Sequence, residues 1–334
     1  MILKHITLIT VALIALAGCQ GTGKRARSAK STSTPAVKSI KTPVFNADSA
    51  YSYVAKQVAF GPRVPNTKEH LLCADYLSSE LTRFGADVIV QDAPVIAFDG
   101  TKLNAKNIIG QFNTEKRNRI LLFAHWDSRP FADHDPDPKK RNTPILGAND
   151  GASGVGILME IARQINKAGI NMGIDIIFFD AEDYGTPEHL DVKYKPDTWC
   201  LGTQYWCNNL HKKGYTARYG ILLDMVGAPD AVFYKELYSK KFAPNLLDRV
   251  WNTAADLEYL SYFSFEDGGQ IVDDHVYVNN ILNIPSIDII QHEPMSETNF
   301  NAYWHTQKDN MDNIDRATLK AVGQTVLEVI YSEK

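Results

Sequence analysis

Four short runs of apolar residues beyond residue 118 each end abruptly in polar or acidic residues. Runs of this length, without alternation of apolar and polar positions, are typical of strands that are buried on both faces. Such strands occur in parallel sheets that helices cover. The sequence therefore predicts buried strands at residues 119–124, 174–179, 220–223 and 285–290.

Apolar residues that recur every three or four positions mark the helices that would cover this sheet. The spacing predicts helices over residues 46–59, 67–84, 155–162, 245–257 and 314–331. Two further strands, at residues 88–90 and 107–112, are predicted at or near a sheet edge. Since strands alternate with helices after the first two helices, we predict an α/β fold with a mixed, mostly parallel sheet covered on both faces.

The first residues have the pattern of an export signal. Lys4 precedes an apolar stretch at residues 6–17, which is too short to span a bilayer comfortably. The stretch ends at Leu16-Ala17-Gly18-Cys19, which resembles the lipobox of bacterial lipoproteins. We predict that residues 1–18 are a lipoprotein signal peptide and that Cys19 is lipidated. The protein would then be exported and anchored to a bacterial membrane, facing the periplasm. An ordinary signal peptide followed by a chance cysteine is the alternative interpretation.

The composition changes after the signal. Between residues 20 and 42, six Lys and Arg residues and no acidic residue occur among Gly, Ser and Thr, so residues 19–42 are predicted to be a flexible basic tether. A single catalytic domain is predicted over residues 43–334. With 28 basic and 39 acidic residues, this domain has a net charge of about −11. The charge argues against a nucleic-acid partner and suits a cationic ligand or a metal, so membrane contact is expected through the lipid anchor only.

Three cysteines remain once Cys19 is assigned to the lipobox. Cys73, Cys200 and Cys207 are an odd number in an exported protein, so one disulfide and one free thiol is a possible arrangement whose connectivity the sequence leaves open. The spacing contains no C-x-x-C motif that would predict a thiolate zinc site.

Polar side chains cluster where the predicted strands end. Because the carboxyl ends of parallel strands meet at one edge of a sheet, we expect these side chains to converge on one crevice. The clusters are His125 and Asp127, then Asp180, Glu182 and Asp183, then Asp224, and then residues 291–293. Asp150 begins a helix after a glycine-rich turn, and the segments 273–275 and 304–306 add Asp273, Asp274, His275, Trp304 and His305.

Imidazole and carboxylate ligands without thiolate suit Zn²⁺ with an open coordination position. A catalytic zinc also needs a nearby carboxylate that is not a ligand and can move protons. Glu182 and Asp183 can supply both kinds, because successive residues at a strand end point in different directions. Motifs of serine hydrolases, H-E-x-x-H metalloproteases and P-loop proteins are absent from the sequence. Five other histidines in polar or mixed contexts are interpreted as surface or loop residues: His70, His134, His189, His211 and His292.

Six motifs follow one another in a recognisable order. They are H-x-D at 125–127, G-A-x-D at 147–150, F-F-D-x-E-D at 178–183, L-L-D-M at 222–225, D-D-H at 273–275 and W-H-T at 304–306. This set resembles the zinc exopeptidases of the dinuclear aminopeptidase superfamily. Within that superfamily the chain most resembles the glutaminyl cyclases, in the animal-type form found in some bacteria. The resemblance extends over nearly all of residues 43–334.

The resemblance implies a fold, a reaction and a set of roles. The fold would be the three-layer sandwich of the zinc aminopeptidases. The reaction would be cyclisation of the N-terminal glutamine of peptides and proteins to pyroglutamate, with release of ammonia. By position in the motifs, Asp150, Asp183 and His305 would hold one zinc ion per chain, and Glu182 would be the general acid and base. Asp224 and Asp273 would form a carboxylate pair that shares a proton, and Trp199 and Trp304 would line the pocket for the glutaminyl side chain.

Two alternatives remain open at this point. A two-zinc aminopeptidase would use His125, Asp150 and Asp224 for a second metal. His125, Asp127 and Asp180 are expected either to take part in a second metal site or to support the site from behind. A non-enzymatic surface lipoprotein that binds peptides is the alternative from another class. For the cyclase, the expected partners are peptides or proteins that begin with glutamine, and the expected state is a monomer.

Overall fold

The computed structural model describes residues 40–192 and 195–333. Its strands are β1 (Asp87–Ile96), β2 (Lys102–Phe112), β3 (Arg119–His125), β4 (Gly173–Phe179), β5 (Gly220–Asp224), β6 (Phe233–Lys235), β7 (Phe263–Asp267) and β8 (Ser286–Ile290). Its α-helices are α1 (Ala47–Val58), α2 (Lys68–Arg83), α3 (Ala152–Ala168), α4 (Leu201–Asn208), α5 (Leu237–Phe242), α6 (Pro244–Asp256), α7 (Asp274–Leu282) and α8 (Arg316–Tyr331). A short 3-10 helix spans Met311–Asn313.

The main sheet has six strands in the order β1-β2-β4-β3-β5-β8. Strand β2 is antiparallel to β1 and to β4, whereas β4, β3, β5 and β8 are parallel to one another. The predicted mixed, mostly parallel sheet is confirmed, and β1 lies at its edge. The four apolar runs of the sequence are these four parallel strands, so their polar carboxyl ends lie along one edge of the sheet.

Helices cover both faces of the sheet, which gives three layers. Helices α1, α2, α3, α6 and α8 bury the larger apolar core on one face. On the other face, α4 and α7 cover a smaller core around Phe123, Phe179 and Trp206. Every residue of β3, β4, β5 and β8 is buried, as their apolar sequences predict. From Ile40 onward the chain is one compact unit.

The start of α3 lies very close to the sheet. A Cβ atom on Gly154 would lie 2.1 Å from the carbonyl oxygen of Leu223 in β5, so no larger residue fits there. A Cβ atom on Gly151 would lie 2.4 Å from Nε2 of His125 at the end of β3. These two close approaches bring Asp150, which directly precedes Gly151, to the carboxyl ends of β3 and β5.

The sequence analysis did not predict α4, α5, α7, β6 or β7. These elements are short, so none of them has a long apolar stripe that periodicity could detect. Helix α4 follows Cys200, whose backbone is left-handed with φ of 56°. Helix α7 is capped by Asp273, whose side chain accepts the backbone N–H of Asp274. An acidic cap before a partly apolar segment was the available signal for α7.

The interpretation of one histidine proves wrong. His70 is neither a surface nor a loop residue: it is buried in α2, its Nε2 lies 2.7 Å from Oδ2 of Asp180, and its ring stacks on Trp126. His292 lies in the loop that follows β8, although only 6% of its surface is exposed. The disulfide that the sequence allowed is not formed in the described residues, where all three cysteines are buried free thiols.

The predicted signal peptide and most of the predicted tether lie outside the described residues. In the part of the chain that is described, no helix is long and apolar enough to cross a membrane.

Candidate active site

A cavity of about 570 Å³ opens at the carboxyl ends of the parallel strands. Its lining contains all eight residues that the resemblance assigned to metal binding, proton transfer and substrate binding. They are Asp150, Glu182, Asp183, Trp199, Asp224, Asp273, Trp304 and His305. Residues that are up to 155 positions apart in the sequence therefore converge in one crevice, as the strand-end argument predicts.

The side chains of Asp150, Asp183 and His305 form a group that could hold a metal ion. Nε2 of His305 lies 3.4 Å from Oδ1 of Asp183 and 3.6 Å from Oδ2 of Asp150. These separations exceed ordinary hydrogen-bond lengths, so the three ligand atoms face a common point without bonding to one another. Within the described residues, Oδ2 of Asp183 is buried and has no hydrogen-bond partner. An orphaned carboxylate oxygen beside an imidazole fits a divalent cation.

A buried ion pair connects two members of this group. Arg129 donates two hydrogen bonds of 2.7 Å to the carboxylate of Asp133, and its Nη1 lies 3.1 Å from Oδ1 of Asp183. Oδ1 of Asp133 in turn lies 3.2 Å from Nδ1 of His305. A carboxylate at the second ring nitrogen is the usual way in which a metal-binding histidine is oriented.

The same edge of the sheet contains a second group that could hold a metal, formed by His125, Asp150 and Asp224. Its geometry differs from that of the first group. Nε2 of His125 lies 3.0 Å from Oδ1 of Asp150 and 3.1 Å from Oδ1 of Asp224, both within hydrogen-bond distance. Although burial opposes it, contacts with Asp127, Asp150 and Asp224 hold the pKa of His125 well above its usual value. In this arrangement His125 itself neutralises the two carboxylates.

Glu182 lies beside the first metal group, at the wall of the cavity. It is 9% exposed, and the thiol of Cys200 donates a hydrogen bond of 3.2 Å to its Oε1. Burial raises the pKa of Glu182 well above its usual value, and the neighbouring carboxylates of Asp273, Asp183 and Asp274 raise it further against the charge of His125. A carboxyl group with a raised pKa is suited to both accepting and donating a proton near neutral pH.

Asp127 and Asp180, which follow β3 and β4, hold the backbone instead of facing the cavity. Asp127 accepts the backbone N–H groups of Glu182 and Asp183 at 3.1 and 3.2 Å, so it positions these two residues. Asp180 accepts hydrogen bonds from the backbone of Ala181 and from His70. Neither belongs to a group that could hold a metal in the described residues.

The remaining two carboxyl groups of the cavity, Asp224 and Asp273, lie at the end of β5 and at the start of α7. Burial raises the pKa of Asp224 to about 7, against its hydrogen bond with His125. Burial also raises the pKa of Asp273, against the charge of His275. Burial and the neighbouring charge of Asp273 raise the pKa of Asp288 in β8, a residue that the sequence analysis did not select, well above its usual value.

Aromatic rings form the walls around the metal group. The ring of Trp304 stacks on His305 with 3.7 Å between centroids, and Phe300 packs on Trp304 at 4.6 Å. The ring of Trp199 is nearly parallel to that of His305, at 10°, and the Arg129 guanidinium lies 4.6 Å from the Trp199 ring centroid. Trp199, Trp304 and Phe300 all line the cavity, and such flat rings suit a flat amide side chain.

Sequence reasoning missed three buried charged residues in this region: Arg129, Asp133 and Asp288. Arg129 and Asp133 belong to the segment after β3, where many Asp and Pro residues resemble those of a solvated loop. The available signal was the i, i+4 spacing of two opposite charges. Asp288 is an acid in the middle of an apolar strand, and such a position predicts a buried partner.

Comparisons with known proteins agree with this geometry. Residues 107–330 match the sequence profile of peptidase family M28. The chain therefore belongs to peptidase family M28, whose zinc-exopeptidase fold was expected from the motifs. Within it, the predicted membership of the glutaminyl cyclase branch is confirmed by similar proteins of known structure and by curated relatives.

Three of these similar proteins illustrate the range of sequence identity. The structure of Tannerella forsythia glutaminyl cyclase is 59% identical, covers 87% of this chain and 100% of its own, and has a TM-score of 0.86. The structure of a Zn-dependent exopeptidase from Parabacteroides distasonis is 63% identical, covers 88% of this chain and 100% of its own, and has a TM-score of 0.87. The glutaminyl-peptide cyclotransferase of Drosophila melanogaster is 25% identical over 281 residues, which are 77% of this chain and 73% of the relative.

Proposed function

We propose that this protein cyclises the N-terminal glutamine of peptides and proteins to pyroglutamate and releases ammonia. The observation that carries the proposal is that Glu182 lines one small cavity together with the Asp150, Asp183 and His305 group and the aromatic rings of Trp199 and Trp304. The names of the similar glutaminyl cyclases support the same reaction.

Asp150, Asp183 and His305 would hold one zinc ion. When bound there, zinc supplies Lewis acidity that polarises the γ-carbonyl of the glutaminyl side chain. Glu182 accepts a proton from the α-amine as the nitrogen attacks that carbonyl, and it returns the proton to the departing ammonia. The proton that leaves the amine is thus the proton that the leaving group needs, so Glu182 ends the cycle in its starting state.

The pocket contributes by holding the substrate in a folded conformation. Trp199 and Trp304 confine the flat amide, which keeps the α-amine near its own γ-carbonyl and excludes water. Holding an intramolecular nucleophile in this way supplies a large part of the rate. Asp224 and Asp273 complete the wall on the side of Glu182, where a neutral or shared-proton carboxyl can hydrogen-bond the leaving amide.

A two-zinc aminopeptidase is the second candidate, because His125, Asp150 and Asp224 also form a group that could hold a metal. The cyclase is favoured because Nε2 of His125 lies within hydrogen-bond distance of both carboxylates, whereas Nε2 of His305 does not bond to its two partners. A peptide-binding lipoprotein without activity would not need Glu182, which is present and buried.

The direct experiment compares two reactions of the purified, zinc-loaded protein. Ammonia release from a peptide that begins with Gln is measured beside hydrolysis of an aminoacyl-anilide, and zinc is counted in the same sample. The cyclase predicts ammonia release, no anilide hydrolysis and one zinc per chain. Anilide hydrolysis without ammonia release, with two zinc ions per chain, would establish the aminopeptidase instead.

We also propose the cellular form of the enzyme. Residues 1–18 are removed, Cys19 carries the lipid, residues 19–42 form the tether, and residues 43–334 act as a monomeric catalytic domain facing the periplasm. The proposal is supported by the apolar stretch that ends at Leu16-Ala17-Gly18-Cys19 and by the basic stretch that follows. Cell fractionation tests it: the wild-type protein should be in the membrane fraction, and Cys19→Ser should release it or block its processing. The mass of the detergent-solubilised protein measures whether it is a monomer.

A further inference from the structure

Asp309 is a buried carboxylate that follows His305 by four positions and does not line the cavity. Only 2% of its surface is exposed. Its two oxygens accept two consecutive backbone N–H groups: Oδ1 accepts that of Asn149 at 2.7 Å, and Oδ2 accepts that of Asp150 at 3.1 Å. The carboxylate therefore holds the backbone of a residue to which the proposed function assigns metal binding.

The backbone of Asp309 connects the same loop to the turn that contains His305. Its N–H donates to the carbonyl oxygen of Thr306 at 3.1 Å, and its own carbonyl oxygen accepts the N–H of Ala148 at 3.4 Å. Nε2 of His305 lies 3.6 Å from Oδ2 of Asp150. Because one residue contacts both segments, a shift of either segment would change the distance between these two ligand atoms.

The other end of the loop at residues 146–150 is held by Arg63, which has no exposed surface. Its Nη1 donates to the carbonyl oxygen of Leu146, and its Nη2 donates to that of Gly147 at 2.8 Å. A cation thus holds the carbonyl groups at the start of the loop, and an anion holds the N–H groups at its end. Arg63 and Asp309 are close enough to interact electrostatically, which offsets part of the cost of burying each charge.

We propose that Asp309 is a positioning residue of the metal site, which fixes the Asp150 carboxylate by holding the backbone of its loop against the turn that contains His305. The inference rests on the metal-binding role of Asp150 in the proposed function. Within the described residues, Asp309 belongs to no group that could hold a metal, so it acts through Asp150. Since Asp150 belongs to both groups of the site that could hold a metal, the inference is the same for one ion and for two.

The first test is Asp309→Asn in the full-length, zinc-loaded protein. An amide side chain has only one acceptor oxygen, so its NH₂ group would face a backbone N–H that needs an acceptor. The loop should then move away from its position in the wild type. We expect zinc affinity, measured on folded protein by competition with a chromophoric chelator, to fall by about 10- to 100-fold.

Asp309→Glu separates position from charge. The variant keeps the negative charge near Asp150 and Arg63, but it moves the acceptor oxygens by one methylene group. Positioning predicts a loss of zinc affinity of about tenfold or more in this variant too. Wild-type affinity in Asp309→Glu would overturn the inference, because the loss in Asp309→Asn would then come from the missing charge. If Asp309→Glu does not fold, the visible spectrum of Co²⁺-loaded Asp309→Asn decides, since it reports coordination geometry. A changed spectrum supports the inference, and a wild-type spectrum overturns it.

Asp315→Ala is the control for a general loss of stability. The Asp315 carboxylate caps α8 by accepting the backbone N–H of Thr318 at 3.1 Å. Its removal should lower the unfolding temperature and leave zinc affinity unchanged. Wild-type affinity in Asp309→Asn, or an equal loss in Asp315→Ala, overturns the inference. A wild type that binds zinc but releases no ammonia overturns the proposed reaction alone, because zinc affinity still measures the role of Asp309. A wild type that binds no zinc overturns both.

Discussion

The carboxylate of Asp133 lies 3.2 Å from Nδ1 of His305, the ring nitrogen opposite to the one that faces Asp150 and Asp183. Arg129 donates two hydrogen bonds to the same carboxylate and so holds it in place. Because a histidine presents only one nitrogen to a metal, the contact at Nδ1 decides the direction of Nε2. Asp133 is thus placed to hold His305 in the direction that completes the metal group.

Asp133→Asn should therefore weaken zinc binding. The substitution removes the negative charge that favours a proton on Nδ1, and it leaves the Arg129 guanidinium with one of its two carboxylate partners, Asp183. We expect zinc affinity, measured by competition with a chromophoric chelator, to fall by about 10- to 100-fold, and activity at limiting zinc to fall with it. Asp137→Asn, at an exposed position of the same loop, is the control and should bind zinc as the wild type does. Unchanged affinity in Asp133→Asn would show that His305 is oriented by other contacts.

Glu182→Gln should separate proton transfer from metal binding. Glutamine preserves the shape of the side chain but can neither accept the amine proton nor return it to ammonia. We expect kcat to fall by about 10²- to 10⁴-fold while zinc content and the unfolding temperature stay close to those of the wild type. Glu188→Gln, at an exposed position of the following loop, should leave all three quantities unchanged. Turnover that persists in Glu182→Gln would exclude Glu182 as the group that moves the proton.

The sequence predicted the sheet and the cavity well because both depend on long, regular patterns. The apolar runs at β3, β4, β5 and β8 have no alternation, and only burial on both faces explains such runs. Once these strands are parallel, their polar ends must meet at one edge, so residues such as Asp183 and Asp224 could be placed together without coordinates. The eight residues assigned to the site do line one cavity.

What the sequence could not predict are partners that depend on three-dimensional packing. His70 looked like a polar helix residue, yet it is buried against Trp126 because Asp180 accepts its hydrogen bond. Arg129 lies in a segment with the composition of a loop. Its two carboxylate partners, Asp133 and Asp183, offset the free-energy cost of burying its charge. A charged residue in such a segment has the same local pattern whether water or another charge satisfies it.

Asp180 should contribute to the stability of the fold more than to metal binding or catalysis. Asp180→Ala leaves the backbone N–H of Ala181 and the ring of His70 without their acceptor in a buried region. We expect the free energy of unfolding, measured with urea on the zinc-loaded protein, to fall by about 3–5 kcal/mol. Below the unfolding transition, zinc content should stay at the wild-type value. A stable Asp180→Ala protein that has lost its metal would place Asp180 at the metal instead.

The role of His125 distinguishes the one-metal site from the two-metal site. If a single zinc ion is bound by Asp150, Asp183 and His305, then His125 acts as a hydrogen-bond donor to Asp150 and Asp224, and glutamine can replace it in part. His125→Gln should then keep one zinc per chain, measured by atomic emission on dialysed protein, with kcat reduced because Asp224 loses its partner. His211→Gln, in a half-buried position where the ring contacts Trp206, is the control and should leave both quantities unchanged. A wild type with two zinc ions and a His125→Gln variant with one would contradict the single-zinc site, because the second ion would then require His125 as a ligand.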